Sequence, residues 1–248
     1  MKDWLLSVVW YGSLLATLLG GLVLLSPLPA IGLTSRSHGA WLLAVAILLI
    51  AVLSRSGPAT AHVSTVRSAL DRVMPAYQFC ERHWRAVDAG AERVVAGISD
   101  VTAGDIALFR TFTAIRRFGR RGPESILNAP PHESILAIAT RTGFDLLART
   151  DNEVVLGLVI ATRERQAFDR SAPGWFERVS GPGVVKAALN FRVDSLGPEA
   201  TRLTTETRVL ATDSAGLHRF TPYWRTVFPG SCILRVTWLA AIARHAER

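Results

Sequence analysis

The sequence has little to build covalent or catalytic chemistry from. It carries two cysteines in 248 residues, Cys80 and Cys232. Two cysteines can pair but make no disulfide framework, and the simpler reading is two buried thiols in a reducing compartment. The familiar catalytic signatures are missing. "GPGVVK" has the wrong spacing for a phosphate-binding loop, and there is no G-x-G-x-x-G, G-x-S-x-G or H-E-x-x-H. The six histidines, His38, His62, His83, His132, His218 and His245, have no cysteine or second histidine at ligand spacing, so neither a metal nor a cofactor is expected. A concentrated basic face is missing too. The net charge is +8, with five basic and two acidic residues in 1–75 and 23 and 18 in 76–248. Basicity spread this thinly argues against a nucleic-acid partner, which needs clustering on one face.

Charge is absent altogether from Trp4 to Leu25. Those 22 residues span roughly 33 Å as a helix, which matches the hydrocarbon core of a bilayer. A second apolar run, Ala40 to Leu53, is short by that test. Extended over 37–54, between Arg36 and Arg55, it reaches about 27 Å, with both arginines able to snorkel. The expectation is a transmembrane hairpin over 1–54, with helices at about 4–25 and 37–54 and the loop "SPLPAIGLTSRSHG" between them. The competing reading is a cleaved signal peptide, since Lys2 is basic and "PLPA" precedes Ile31. The first run exceeds the usual apolar core of a signal, and Leu28 is a poor partner for Ala30 at a cleavage site. Lys2 and Arg55 flank one end of the hairpin and Arg36 the other, with Arg67 and Arg72 following. The positive-inside rule then leans towards both termini in the cytoplasm, and towards an inner (plasma) membrane protein with a cytoplasmic domain.

Residues 55–76 read as a juxtamembrane linker. Gly57-Pro58 breaks any helix leaving the membrane, and Val63, Val66, Leu70 and Val73 follow helical spacing up to Pro75. From Tyr77 the pattern is that of an α+β domain. A first strand holds Tyr77, Phe79 and Val87. "AERVVAGISDV" is a short helix, and "TAGDIALFRTFTAIRRFGRRG" a second, with Thr102 and Asp105 as a capping-box-like start and Gly119 as its stop. "HESILAIATRTG" is a third. "FDLLART" and "EVVLGLVIAT" are strands joined at Asp151-Asn152, followed by the loop "DRSAPGWFERVSGPG".

Two cleanly alternating strands come next. Val185, Ala187, Leu189, Phe191 and Val193 share one face with Leu203, Thr205, Thr207 and Val209. Lys186, Asn190, Arg192 and Asp194 share the other with Arg202, Thr204, Glu206 and Arg208. The pattern predicts an antiparallel sheet that is covered on the first face and wet on the second. The chain ends in helices, with an expected break at Pro229-Gly230 and a last, nearly all-round apolar helix "CILRVTWLAAIARHAER".

The segments "VDAGAERVVAGISDV", "KAALNFRV", "TRLTTETRVLATD" and "YWRTVFPGSCILRVTWLAAIARHAE" together resemble the START-like superfamily of polyketide cyclase-type and SRPBCC proteins, in an uncharacterised bacterial branch. The resemblance covers about 77–248. It implies a helix-grip fold, a curved antiparallel sheet around a long C-terminal helix with a cavity between them. Functions in that superfamily range from lipid carriage to cyclisation and hydrolysis, so the fold does not choose among them.

Within such a cavity, Phe191, Leu203, Thr205, Thr207, Val209, Trp224 and Trp238 are the candidate ligand-binding residues. The threonine hydroxyls would give an apolar site a few polar anchors, or else be ordinary strand formers. Trp175 and Phe176 are either a lid or a tucked-in aromatic pair. Arg116, Arg117, Arg120 and Arg121 suit a helix C-terminus, or contact with anionic headgroups. Glu206 is the one acid placed to act as a general base, if its face is buried; as an outer-face ion pair it contributes little. The expected partner is a hydrophobic small molecule or lipid, carried without being transformed. A cyclase- or hydrolase-type enzyme and a partner-docking protein with a vestigial cavity are the alternatives.

Overall fold

The computed structural model describes residues 2–117, 120, 125–160 and 168–248. Its elements are, in order, α1 (Lys2–Leu25), α2 (Arg36–Arg55), β1 (Ala61–His62), α3 (Ala69–Val73), β2 (Ala76–Tyr77), β3 (Phe79–Val87), α4 (Ala91–Asp100), α5 (Phe109–Arg116), α6 (Ile135–Thr142), β4 (Asp145–Arg149), β5 (Glu153–Ile160), α7 (Trp175–Arg178), β6 (Val185–Gly197), β7 (Ala200–Ala211) and α8 (Ser214–Ala246). The chain divides into two units. One comprises 1–58 and 217–229, the other 59–216 and 230–248.

In the first unit α1 and α2 form a hairpin that closes at glycine. A Cβ on Gly20 would lie 2.9 Å from the Leu43 nitrogen, and one on Gly39 would lie 2.9 Å from both the Gly20 oxygen and the Leu24 nitrogen. Only hydrogen fits there, as at close crossings of apolar helices generally. The helical segment 217–229 packs at the open end of the hairpin. Trp10 Nε1 donates to Thr226 Oγ1 at 3.0 Å, Tyr11 donates to the Thr226 carbonyl at 2.6 Å, and Arg225 Nη2 donates to the Ser56 carbonyl at 2.8 Å. α1, α2 and α8 are each long and apolar enough to cross a membrane by length and composition.

α8 continues through Pro229-Gly230, where the sequence predicts a break. A proline deprives the carbonyl four residues earlier of its donor. Here that carbonyl belongs to Arg225, and the Ser7 hydroxyl donates to it at 3.0 Å. A side chain 218 positions away in sequence thus satisfies the group that would otherwise end the helix.

The second unit is built on a five-stranded antiparallel sheet in the order β3-β7-β6-β5-β4. One face follows the predicted alternation. Leu189, Phe191, Val193, Leu203 and Val87 pack with α4 and with Trp238, Leu239 and Ile242 of α8 in the main core. The opposite face departs from expectation. It is covered by α3, Met74 and α7, with Leu70, Val73, Val155, Phe176 and Ala188 forming a second core. The predicted wet row is therefore largely buried. Lys186, Asn190, Glu206 and Arg208 are each 3–5 % exposed.

Two helix predictions also need correction. Residues 63–68 do not extend α3, because β1 pairs with β2 and the Val63 N–H bonds the Pro75 carbonyl, which holds the strand-like path. Asp105 accepts from the backbone and hydroxyl of Thr102 in a turn, and α5 begins only at Phe109, after Leu108 at a φ of 63°. Gly119, its predicted stop, lies outside the described residues.

Candidate functional site

Strand β3 is the edge that gives the main core its polar end. Its alternation puts Phe79, Glu81, His83 and Val87 on the α8-facing side. The register sets Glu81 opposite Thr207 and His83 opposite Thr205. The same face therefore runs from apolar, at Phe191, Leu203 and Val193, to polar, at Glu81, His83 and the two threonines.

The polar end is completed by α8. His83 Nε2 is 2.9 Å from Glu81 Oε1, and the Ser231 hydroxyl donates to Glu81 Oε2 at 2.7 Å. One ligating atom each from Glu81, His83 and Cys232 lie within 4.8 Å of one another. One turn further along α8 the Arg235 guanidinium stacks 5.4 Å from the Trp238 ring, whose centroid is 4.9 Å from that of Phe191. Three buried polar atoms in this region have no hydrogen-bond partner among the described residues, namely Thr207 Oγ1, Arg235 Nη1 and Trp238 Nε1. Such atoms are uncommon in folded proteins, and each needs a physical account.

The predicted ligand-binding residues are only partly assembled. Phe191, Leu203, Thr205, Thr207, Val209 and Trp238 share this face. Thr205 is already engaged, its hydroxyl donating to the Asn190 carbonyl at 2.8 Å, whereas Thr207 is not. Trp224 belongs to the first unit, 6.2 Å from the Phe220 ring and 5.6 Å from that of Phe228. Phe176 sits on the reverse face of the sheet in the second core, and Trp175 packs edge-on against it at 5.6 Å. The Phe176 and Glu177 carbonyls there accept from Lys186 Nζ, at 3.0 and 2.9 Å. Of the arginines, Arg117 donates back to the Thr113 and Arg120 carbonyls at the end of α5. Arg121 lies outside the described residues.

Glu206 is not an exposed outer-face acid. It is 4 % exposed within a buried network on the reverse face. Arg208 Nε donates to Glu206 Oε1 at 2.7 Å and Arg82 Nε to Oε2 at 2.6 Å, while Arg208 Nη2 reaches Asp71 at 2.6 Å. Asn190 bridges Glu206 to Glu153, whose carboxylate accepts the first N–H groups of α3 from Ala69 and Leu70. Through these hydrogen bonds the carboxylates tie α3 to the sheet. Burial beside Glu206 pushes the Cys80 thiol up to about 12, so it stays protonated at neutral pH. Cys80 and Cys232 form no disulfide. They stand on opposite faces of β3, one beside Glu206 and the other beside Glu81.

Sequence reasoning missed Glu81, His83, Ser231, Cys232 and Arg235. A signal was present for the first two, since they follow Phe79 at intervals of two and share its parity with Val87. Nothing in the spacing couples them to residues some 150 positions later.

No family model matches the chain, and no curated protein matches it. Solved structures similar to it include the di-domain aromatase/cyclase BexL of the BE-7585A biosynthetic pathway, at 16% identity and a TM-score of 0.26. The chain covers 46% of BexL, with 68% of its own length in the match. A protein of Thermus thermophilus matches at 11% identity and a TM-score of 0.26, over 68% of this chain and 97% of that one. The Zhui aromatase/cyclase of a Streptomyces strain matches at 16% identity and a TM-score of 0.27, over 68% and 94%.

Proposed function

We propose that the chain is a membrane-anchored binding protein of helix-grip type, which holds a hydrophobic small molecule or lipid between the sheet and the last helix without transforming it. The observation that carries this reading is the set of polar atoms buried without partners among the described residues, Thr207 Oγ1, Trp238 Nε1 and Arg235 Nη1, on the side of the sheet that holds the buried Phe191 and Leu203. An apolar wall with a few convergent polar atoms is the usual composition of a small-molecule site. The anchor is the hairpin of α1 and α2. Its open end carries Lys2 and Arg55, against Arg36 at the loop end, which favours a cytoplasmic location for both chain ends of the hairpin under the positive-inside rule.

Native mass spectrometry of the full chain, released from detergent, tests the binding. A lipid or apolar metabolite should leave with the parent protein and be depleted in Thr207→Trp. A parent protein that carries no such molecule and takes up no lipophilic dye overturns the reading. Reporter fusions after Arg55 and at the C-terminus should both read cytoplasmic.

A further inference from the structure

We propose that Glu81, His83 and Cys232 form a binding site for a single divalent transition-metal ion of the zinc type. The inference stands on these three side chains and does not depend on an apolar ligand.

The geometry carries it first. Glu81 and His83 project from one face of β3, two residues apart, and Cys232 meets them from α8, so two rigid elements supply the three ligating atoms within 4.8 Å. Zinc sites hold their ligands about 2.0–2.3 Å from the ion. Small side-chain rotations would draw these atoms around an ion, which would replace the present contact between His83 and Glu81.

The chemistry of the donors chooses the metal. A thiolate, an imidazole and a carboxylate are a borderline-soft set that suits zinc or cobalt and is wrong for magnesium or calcium, which want oxygen alone. Three protein ligands also leave a position open, the arrangement of reactive rather than structural zinc sites. Ser231 supplies the supporting contact. By donating to Glu81 Oε2 it fixes the carboxylate and leaves Oε1 turned towards His83. The Thr207 hydroxyl, across from Glu81 in the strand register and without a hydrogen-bond partner among the described residues, is placed to meet a water or group on the open position. Arg235 lies one turn further along α8 from Ser231. Two anionic ligands offset the charge of the ion, so Arg235 would face a nearly neutral centre.

Cobalt titration of the full chain in detergent provides the test. One cobalt per chain should bind, with the intense visible bands of a tetrahedral site and a near-ultraviolet thiolate-to-cobalt band, and zinc should displace it. Cys232→Ser should abolish the thiolate band, Cys80→Ser should keep it, and His83→Gln should weaken binding by about tenfold or more. If Cys232→Ser does not fold, the unaltered protein still decides the matter, because saturating zinc should protect Cys232 from iodoacetamide. A parent protein without a saturable thiolate band, a band that survives Cys232→Ser, or Cys232 alkylated equally fast with zinc present would each overturn the site. Loss of the apolar-ligand reading is recorded separately, by native mass spectrometry on the same preparation.

Discussion

Arg208 of β7 donates to Asp71 of α3 at 2.6 Å, from a guanidinium 3 % exposed, on the face of the sheet that residue alternation marks as wet. It also bonds Glu206 and the Met74 carbonyl, and its carbon lies 4.8 Å from the centre of the Tyr77 ring. Every polar atom around it is answered by another residue, which is the condition under which a buried charge is tolerated. Removing the cation takes the ion-pair partner from buried Asp71 and leaves Glu206 with Arg82 alone. Arg208→Ala is therefore expected to cost about 3–5 kcal/mol, the usual penalty for breaking one side of a buried pair. Glu133→Gln breaks an exposed pair with Arg141 and should cost no more than about 1 kcal/mol. Denaturant unfolding of the two variants side by side checks both values.

The same network predicts a pH dependence. Burial of Asp71 opposes its ionisation, but the Arg67 N–H, the Arg208 guanidinium and the Ser68 hydroxyl outweigh it, and the carboxyl titrates below its usual value. A carboxyl with a depressed folded pKa contributes stability that is full above its unfolded pKa and is lost as pH falls through the folded one. Stability of the parent should therefore decline from about pH 4 downwards, starting near the ordinary aspartate value. Asp71→Asn should start lower and lose less over that window. Thermal melts across the acid range check this, and a parallel decline in both proteins would rule out Asp71 as its source.

Cys80 offers a chemical readout of the same burial. With its thiol pushed up to about 12, iodoacetamide should label it slowly at neutral pH, because the thiolate is the reactive form. Glu206→Gln removes the neighbouring negative charge that helps to hold the thiol protonated, and should speed labelling wherever the fold survives. Peptide mass spectrometry after timed alkylation checks the ratio.

How much of this could be read from the sequence depends on the range of the interaction. The runs Trp4–Leu25 and Ala40–Leu53 and the alternation from Val185 to Val209 are local signals, and the helices and strands follow them. The covered reverse face was hidden because it depends on α3, which has only five residues and is brought over the sheet by Glu153 from β5. Alternation separates the two faces of a strand but does not show that a short distant segment covers the polar one. The continuity of α8 was hidden for a similar reason. Pro229 is a helix breaker by local rules, and only a serine near the N-terminus relieves it.

That relief is testable within the first unit. Ser7→Ala leaves the Arg225 carbonyl without its donor, and loss of the bond should cost about 0.5–1.5 kcal/mol. Pro229→Ala in the same background restores an N–H to the helix and should recover most of the loss. A double-mutant cycle on detergent-solubilised protein measures the coupling, and strictly additive effects would show that the serine does not stand in for the missing N–H.

The two threonines separate packing from binding. They face the same side of β7, but Thr205 donates to the Asn190 carbonyl while Thr207 Oγ1 is buried with no partner among the described residues. Replacing a hydroxyl by a methyl of similar size gives different results in the two settings. Thr205→Val loses a made hydrogen bond and should cost about 0.5–1.5 kcal/mol. Thr207→Val removes an unmet polar group and should be neutral or stabilising in the protein alone, since burying such a group is unfavourable. Lipophilic-dye binding then reads the other half. If Thr207 anchors a ligand, its valine variant should be at least as stable as the parent and yet bind more weakly, by the value of one hydrogen bond, roughly three- to tenfold. Thr205→Val should leave the affinity for dye alone. Equal dye binding by the parent and both variants would mean that the Thr207 hydroxyl faces no ligand, and the apolar-ligand reading would lose the polar atom nearest the Glu81 end of the site.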